Sequence, residues 1–312
     1  MRIALTYNLR RDGSEACAEF DSPGTVAAIA EIVRGLGHHV TPLDVTGSIP
    51  RLVAGLRWIR PDLVLNLAEG ERGPFREAFY PALFEQLGYA YTGSPASTLA
   101  LCLDKALCKR VVAAAGVTVP AGELVRDADH RLPYHLAPPV IVKPNFEGSS
   151  KGITPASIVT AHDELAPRVH DLLARYREGV LVEQLVPGED VAVAWIEGVG
   201  VLPPIAYRYA GSPIYDYALK QDVPERVAVE VPARLPAAVT AKLYDAAARA
   251  FAALGVRGLG RADFRVTPEE DVVFLEMNPL PALGPDDKEL YAASALLGKS
   301  PGELFAAILA AA

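Results

Sequence analysis

A glycine-serine loop follows a short apolar stretch near the middle of the chain. Residues 142–152 read VKPNFEGSSKG, so that a predicted strand delivers Lys143 to a turn containing Gly148. Glycine permits close approach to the backbone, and backbone N–H groups with the hydroxyls of Ser149 and Ser150 would form an anion cradle. The pattern also fits a surface hairpin with solvated serines, and it is not a P-loop because no GxxxxGK[ST] string occurs. The loop alone therefore does not predict phosphate binding, and the prediction needs a second sequence signal of nucleotide binding.

Two carboxylates and an amide supply that second signal, in the segments GRADF and FLEMN of the last third of the sequence. Asp263 and Glu276 would face each other on paired strands, with Asn278 on the same face as Glu276 because strand side chains alternate. Their oxygens are hard ligands suited to a magnesium ion that also contacts nucleotide phosphates. Either carboxylate alone would indicate a solvated strand end. Together, and with Arg261 beside them, they favour a metal site.

The elements that must position these residues begin with an open parallel α/β lobe. Apolar stretches at 2–7, 39–43 and 62–66 predict strands, and the segments between them predict helices. Ser22 and Pro23 have the residue types that favour a helix start, as N-cap and first helical residue. A further amphipathic helix carries Phe79, Leu83 and Leu87.

The rest of the chain is expected to form two α+β lobes. The phosphate loop lies in the first and the carboxylates in the second, which also contains a long predicted helix at 236–254. An Ala/Leu-rich helix at 301–312 would pack on the core. We place the three lobes at 1–103, 104–180 and 181–312.

Composition and charge exclude several classes of protein. The chain is 51% hydrophobic and 22% charged, which is typical of a folded protein rather than a disordered one. No uninterrupted apolar run reaches the roughly 18–20 residues that a transmembrane helix needs. The net charge of −8 argues against nucleic acid or an anionic membrane as the main partner. Residues 1–7 indicate a strand rather than a signal peptide, so we expect a cytoplasmic protein.

The loop and the carboxylates, in this order, carry a family resemblance over essentially the whole chain. The sequence resembles the D-alanine–D-alanine ligase branch of the ATP-grasp superfamily, with further matching strings at 103–106, 182–193 and 215–220. The resemblance implies an α/β ATP-grasp fold, in which an N-terminal lobe with an open parallel sheet precedes two α+β lobes that clamp ATP. It also implies ATP and two Mg²⁺ ions as cofactors, and a homodimer, which is usual in the family.

The resemblance assigns nucleotide contacts residue by residue. Lys105 and Lys143 are similar to the lysines that contact the ATP phosphates, and ammonium groups are compact phosphate partners. Lys220, on a loop over the site, resembles the γ-phosphate lysine. Glu183 would meet the adenine amino group. The remaining nucleotide positions are Leu185 or Val186 for the base, Ser150 on the phosphate loop, and Asp190, one methylene shorter than the family's glutamate, for the ribose.

The catalytic positions are assigned in the same way. Arg261 resembles the arginine that steadies the tetrahedral intermediate, and Ser149 matches the loop serine near the acceptor. Glu19 or Asp21 falls where an acidic residue holds the first substrate's ammonium group, and spacing does not choose between them. The residues similar to the family's magnesium ligands are Asp263, Glu276 and Asn278.

Departures from the family are concentrated on the substrate side. Gln221 follows Lys220 where the family has a tyrosine, and Glu69 stands where it has a histidine. Pro281-Ala282 replaces the family's Pro-Gly, and the serine that binds the acceptor's carboxylate has no counterpart in 283–288. The nucleotide half thus matches the family, and the acceptor half does not.

We therefore predict an ATP-dependent ligase that activates an amino acid as an acyl phosphate and passes it to an amine. The divergence predicts a specialised acceptor or a ring closure, with small-molecule substrates that are amino acids or amines. The alternatives are the ordinary D-alanine–D-alanine ligase of cell-wall synthesis, a phosphotransferase that makes no amide, and a non-catalytic ATP-binding module. Arg261 beside the carboxylates argues against the phosphotransferase, and the complete metal-ligand set argues against the module.

Overall fold

The computed structural model describes residues 1–285 and 288–312, and a parallel sheet in the order β2-β1-β3 opens the chain. Ser22 caps the first helix: its hydroxyl accepts a hydrogen bond from the Thr25 amide, 3.0 Å away, with Pro23 following as predicted. The elements of this part are β1 (Arg2–Tyr7), α1 (Pro23–Gly35), β2 (His39–Asp44), α2 (Ile49–Ile59), β3 (Leu63–Leu67), α3 (Arg76–Leu87) and α4 (Ala96–Leu103).

A second, antiparallel sheet has the order β4-β7-β5-β6 and is covered by one helix. Val142 and Val182 from this sheet pack against Leu172 of that helix. The predicted boundary at 180/181 falls within β7, which pairs in this sheet, and the boundary itself stays a prediction. The elements are α5 (Lys105–Ala114), β4 (Gly122–Val125), β5 (Val140–Pro144), β6 (Ile158–Val159), α6 (His162–Arg175) and β7 (Val180–Gln184).

The third sheet is antiparallel, in the order β11-β10-β8-β12-β13, with β9 paired to β8. Phe264 and Phe274 of its strands pack with Leu243 and Phe251 of the long helix, and each such buried side chain stabilises the fold by about 1.5–3 kcal/mol. The elements are β8 (Glu189–Ile196), β9 (Gly200–Val201), β10 (Ile205–Tyr209), α7 (Tyr217–Gln221), β11 (Val227–Glu230), α8 (Ala237–Leu254), β12 (Leu259–Val266), β13 (Val272–Asn278), α9 (Lys288–Ala295) and α10 (Pro301–Ala310).

The last helix joins the first and third sheets in one apolar core. Leu304 and Ile308 of α10 lie with Ile29 of α1, Leu5 of β1 and Ala194 of β8. This agrees with the predicted packing of the terminal helix, and the predicted α/β fold class is confirmed. Among the helices in 1–285 and 288–312, none combines the length and apolarity needed to cross a membrane.

Candidate active site

A cavity of about 710 Å³ is lined by residues from all three parts of the chain. Every residue assigned above to catalysis, nucleotide or metal lines it, from Glu19 in the first part to Asn278 in the third. The structure thus brings the predicted site residues together, while their individual roles stay predictions.

The carboxylates lie on the neighbouring strands β12 and β13. Asp263 and Glu276 are direct partners in the antiparallel ladder, as predicted, and the Asn278 side chain donates to Asp263 Oδ2 over 2.9 Å. Arg261 binds both oxygens of Asp263, at 2.7 and 2.8 Å. Lys105 Nζ lies 2.9 Å from Glu276 Oε2. Burial alone would raise the pKa of Glu276, but Lys105, together with Lys143 and Lys220, lowers that pKa well below the ordinary value.

The oxygen atoms of these three residues fit a magnesium ion. Two carboxylates and an amide oxygen are hard ligands, and magnesium commonly keeps waters and phosphate oxygens for its other positions. Within 1–285 and 288–312 the cluster holds only two acidic ligands, so Asn278 and ligand oxygens would have to complete the set. Arg261 and Lys105 neutralise the carboxylates in this structure.

Glu183 is the centre of a buried ion cluster on the second sheet. It is 1% exposed, and its two oxygens lie 2.7 Å from Lys109 Nζ and 2.7 Å from Lys143 Nζ. Burial lowers the pKa of Lys109 to about 8, although Glu183 opposes the shift. Both Glu183 oxygens are therefore engaged by lysines, including the predicted phosphate contact Lys143. Sequence reasoning missed Lys109; its signal was the spacing of four from Lys105, which puts both on one helix face.

The phosphate loop has a strained backbone that several contacts hold. Ser149 and Ser150 have φ of 48° and 57°, the left-handed region that residues other than glycine seldom adopt. The Ser150 hydroxyl donates to the Tyr215 carbonyl over 3.0 Å, which ties the loop to the segment before α7. The Gly148 amide donates to Glu19 Oε1 over 2.9 Å.

Glu19 belongs to a second buried ion cluster that links the first part of the chain to the loop. Lys151 Nζ lies 2.6 Å from Glu19 Oε2 and also pairs with Glu147 at 2.5 Å. Arg76 pairs with both carboxylates and donates to the Phe146 carbonyl over 2.7 Å. Burial alone would raise the pKa of Glu19, but Arg76 and Lys151 together lower it. Asp21, the other candidate, lines the same end of the cavity.

Asp190, the expected ribose ligand, is held by residues that sequence reasoning did not single out. Arg265 Nε lies 2.7 Å from Asp190 Oδ1, and the Tyr209 hydroxyl also donates to this carboxylate. Arg265 donates to the Val186 carbonyl over 2.7 Å and to the Pro213 carbonyl over 2.8 Å. It therefore connects the segment after β7 to the segment before α7.

Residues 215–220, here called the covering segment, place Lys220 in the lining of the cavity. Asp216 caps α7 by accepting from the Leu219 amide over 2.9 Å, and Tyr215 stacks on Tyr209. Burial, with Arg261 as the next cause, lowers the pKa of Lys220. On the acceptor side, Gln221 and the Pro281-Ala282 pair line the cavity. The segment 283–288, in which the family's carboxylate-binding serine has no counterpart, includes Asp286 and Asp287, which lie outside the described residues.

Comparison with known proteins gives the family. The family model described as "D-ala D-ala ligase C-terminus" matches residues 113–295. The chain is 35% identical to the D-alanine–D-alanine ligase of Caulobacter vibrioides over 263 residues, 83% of this chain and 78% of the relative. It is 33% identical to that of an Anaeromyxobacter over 288 residues, 90% of this chain and 87% of the relative.

Solved structures agree on the fold. The D-alanine–D-alanine ligase of Bacillus anthracis complexed with ATP superposes with a TM-score of 0.80 at 20% identity, covering 100% of this chain and 97% of that one. The VanG D-Ala:D-Ser ligase of Enterococcus faecalis gives 0.78 at 21% identity, covering 99% and 98%. The chain therefore belongs to the D-alanine–D-alanine ligase family of the ATP-grasp fold, and it is an ATP-dependent ligase that forms amide bonds.

Proposed function

We propose that this chain joins two molecules of D-alanine, with ATP activating the carboxylate of the first. The observation that carries the proposal is a set of D-alanine–D-alanine ligases between 32% and 35% identical to the chain and matched over most of their length. These relatives favour the ordinary ligase, which was only an alternative in the prediction from sequence. They lend no support to a specialised acceptor or a ring closure.

The nucleotide would lie between the second and third sheets. Lys105 and Lys143 would present buried ammonium groups to its phosphates, and Glu183 holds Lys143 in place through an ion pair. Leu185 and Val186 follow β7 and would meet the base through backbone and apolar contacts. Asp190, oriented by Arg265, would accept from the ribose hydroxyls.

Asp263, Glu276 and Asn278 would hold magnesium, which neutralises charge on the phosphates when bound. That the site binds two magnesium ions remains a prediction. The displaced partners, Arg261 and Lys105, would then be free to contact substrate or phosphate oxygens.

The acyl transfer itself would use side chains that face the cavity from different elements. Arg261 can stabilise the oxyanion formed when the second amine attacks the acyl phosphate. Lys220 would hold the transferred phosphoryl group from the covering segment, and Ser149 lies on the loop beside the reacting carboxylate. A homodimer and a cytoplasmic location stay predictions.

Product analysis tests this proposal directly. The protein would be incubated with ATP, Mg²⁺ and D-alanine, and separately with L-alanine, D-serine and ω-amino compounds, with ADP and products identified by mass spectrometry. We expect D-alanine to support the fastest ADP release and to give the dipeptide. Preferential coupling to another amine, or an internally closed product, would return the chain to the specialised-acceptor prediction.

A further inference from the structure

Arg265 is a buried cation at the Asp190 end of the cavity, and its guanidinium group joins four separate segments of the chain. Its side chain is 5% exposed. Nε lies 2.7 Å from Asp190 Oδ1 in β8, and Nη1 donates over 2.7 Å to the Val186 carbonyl after β7. Nη2 donates over 3.0 Å to the Tyr209 hydroxyl of β10. It also donates over 2.8 Å to the Pro213 carbonyl, two residues before the covering segment.

This set of contacts depends on the shape of the arginine side chain. A guanidinium group carries five N–H donors in one plane, whereas a lysine ammonium is a single point of charge on a flexible stem. Nε and Nη2 together reach both carboxylate oxygens of Asp190, at 2.7 and 3.3 Å, and the other donors reach the hydroxyl and carbonyl groups. Because the guanidinium is rigid, it holds these acceptors in fixed positions relative to one another.

Aromatic rings connect Asp190 to the covering segment by a second route. The Tyr209 hydroxyl donates to Asp190, and the Tyr209 ring stacks on Tyr215, the first residue of the covering segment, with centroids 5.5 Å apart. The Tyr215 carbonyl in turn accepts from the Ser150 hydroxyl of the phosphate loop. Lys220 lies on α7, which follows directly. The position of Lys220 therefore depends on where the start of the covering segment is held.

Arg265 shares its strand with residues assigned to the reacting end of the cavity. Arg261, Asp263 and Arg265 alternate along β12 and all line the cavity. A rise of about 3.3 Å per residue puts Arg265 roughly 13 Å along the strand from Arg261. An effect of Arg265 on phosphoryl transfer must therefore pass through the groups that it holds.

We propose that Arg265 is a positioning residue with two tasks. It orients Asp190 toward the ribose, and it docks the covering segment so that Lys220 reaches the transferred phosphoryl group. The inference rests on the proposed function for the places of the ribose and the phosphates, and it is independent of which amino acid is the donor. Loss of the first task should weaken nucleotide affinity, and loss of the second should slow phosphoryl transfer at saturating ATP.

Three variants separate these tasks. Asp190→Asn removes the ribose carboxylate but keeps the guanidinium bridge to Val186 and Pro213. Arg265→Gln alone leaves the Asp190 carboxylate without its counter-charge, which lowers stability as well. The double variant Arg265→Gln/Asp190→Asn avoids this, because two neutral amides replace the ion pair, and it removes the bridge. Arg208→Gln is the matched control, since it removes an exposed arginine of β10 that pairs only with Glu189 and Glu230 within 1–285 and 288–312.

Amide hydrogen exchange of the covering segment, read by mass spectrometry, tests the docking without turnover. It is measured with Mg²⁺ and saturating ATP in the absence of an amino acid, below the melting temperature of each variant. We expect exchange in the double variant to be about tenfold faster than in wild type, because opening no longer breaks a charge-assisted hydrogen bond to Pro213. Asp190→Asn and Arg208→Gln should stay within about threefold. Peptides from α8 serve as the internal reference for global stability.

Calorimetry and kinetics test the two tasks separately. The Kd for ATP should rise about tenfold in both Asp190→Asn and the double variant, and both should lose preference for ATP over 2′,3′-dideoxy-ATP. The kcat for ADP release should fall about tenfold or more in the double variant alone, with the KM for the amino acid within about twofold of wild type. If the double variant keeps the wild-type kcat and the wild-type exchange in the covering segment, the docking role of Arg265 is overturned.

Failure of the proposed function has a different signature. A wild type that prefers another amino acid to D-alanine overturns the D-alanine proposal, and all of these comparisons are then made with that amino acid. If Asp190→Asn keeps both the Kd for ATP and the preference over 2′,3′-dideoxy-ATP, the ribose assignment is wrong and the first task of Arg265 is overturned with it. Exchange in the double variant still decides the second task.

Discussion

Asp263 and Glu276 are opposite each other in the β12–β13 ladder, yet their carboxylates are neutralised by different cations. Arg261 binds Asp263 through two hydrogen bonds, whereas Lys105 reaches Glu276 from α5. The charges at this end of the cavity are therefore balanced within the protein, and removing one carboxylate leaves its cation without a counter-charge.

Glu276→Gln tests the proposed metal contact. We expect turnover, measured as ADP release, to fall by about a hundredfold or more, because phosphoryl transfer loses charge neutralisation at that position. The melting temperature should fall as well, because the neutral amide leaves the buried Lys105 ammonium without its counter-charge, so ADP release is measured well below the melting temperature of the variant. Glu269→Gln, in the exposed turn between β12 and β13, is the matched control. Turnover within about twofold of wild type at saturating Mg²⁺ would rule out the metal role.

Lys143→Ala tests the phosphate assignment. It removes a charge-assisted contact worth about 1.5–3 kcal/mol, so the Kd for ATP should rise roughly tenfold or more. Titration of ATP by calorimetry is the measurement, and Lys242→Ala, an exposed lysine on α8, is the control. Unchanged ATP affinity in Lys143→Ala would show that Glu183, not a phosphate, is this lysine's main partner.

Lys109 and Glu183 are suited to a double-mutant cycle. Lys109→Met leaves a buried carboxylate with one partner fewer, and breaking a buried pair costs about 3–5 kcal/mol. The double variant Lys109→Met/Glu183→Gln should be more stable than the sum of the single losses implies, by about 1 kcal/mol or more. Urea unfolding gives the four free energies. Strictly additive losses would mean that the pair is not coupled.

The pairing of the two proposed metal carboxylates was predicted only in part from local pattern. β12 and β13 are consecutive along the chain and pair as a hairpin, as predicted, with Asp263 opposite Glu276. A register shift between Asp263 and Phe264 produces this pairing, because the register next to the turn would place Leu275 opposite Asp263. Lys109 could not be paired with Glu183 in this way. Their contact depends on how α5 packs on the β4-β7 edge, which no local pattern specifies.

Helix α3 shows a second limit, which concerns the prediction of a helix's buried face from its apolar periodicity. The sequence marks Phe79, Leu83 and Leu87, but Phe79 is 42% exposed and the fully buried aromatic side chain is Phe84. Two charged residues of the same helix are also buried: Glu77 lines the cavity, and Arg76 pairs with Glu19 and Glu147. A helix that buries charged side chains against a site loses the apolar period by which its core face is normally recognised.

The stability of wild type and Glu77→Gln should diverge as pH rises. The native pKa of Glu77 is about 7 against an ordinary value of 4.5, so the unfolded state releases this proton first. The penalty is absent below about pH 4.5, grows up to about pH 7 and is complete above it. The charged groups that act on Glu77 are Arg76, Glu19, Lys105, Lys151 and Glu69.

Urea unfolding at a series of pH values checks this sign. Glu77→Gln lacks the titration, so its gain in stability over wild type should be largest near pH 8 and smallest near pH 4.5, with a span on the order of 2–3 kcal/mol. Titrating groups that Glu77 does not influence are common to the two proteins and cancel in the difference. The pKa of Glu69, which Glu77 raises, falls in the variant and adds to the same trend with pH. A difference that is constant with pH would show that Glu77 is not shifted.

Gly148→Ala tests the contact between Glu19 and the phosphate loop. A Cβ at this position would lie 2.2 Å from Glu19 Oε1, far inside van der Waals contact, so either the loop or the Glu19–Lys151 pair must move. We expect the KM for ATP to rise and stability to fall by about 1–3 kcal/mol. Gly13→Ala is the matched control because its Cβ would meet nothing within 4 Å. In Gly148→Ala/Glu19→Asp the shorter acid leaves room for the methyl group, so part of the ATP affinity should return. If the double variant is as impaired as the two single losses combined, the steric conflict lies elsewhere and Glu19 does not position the loop.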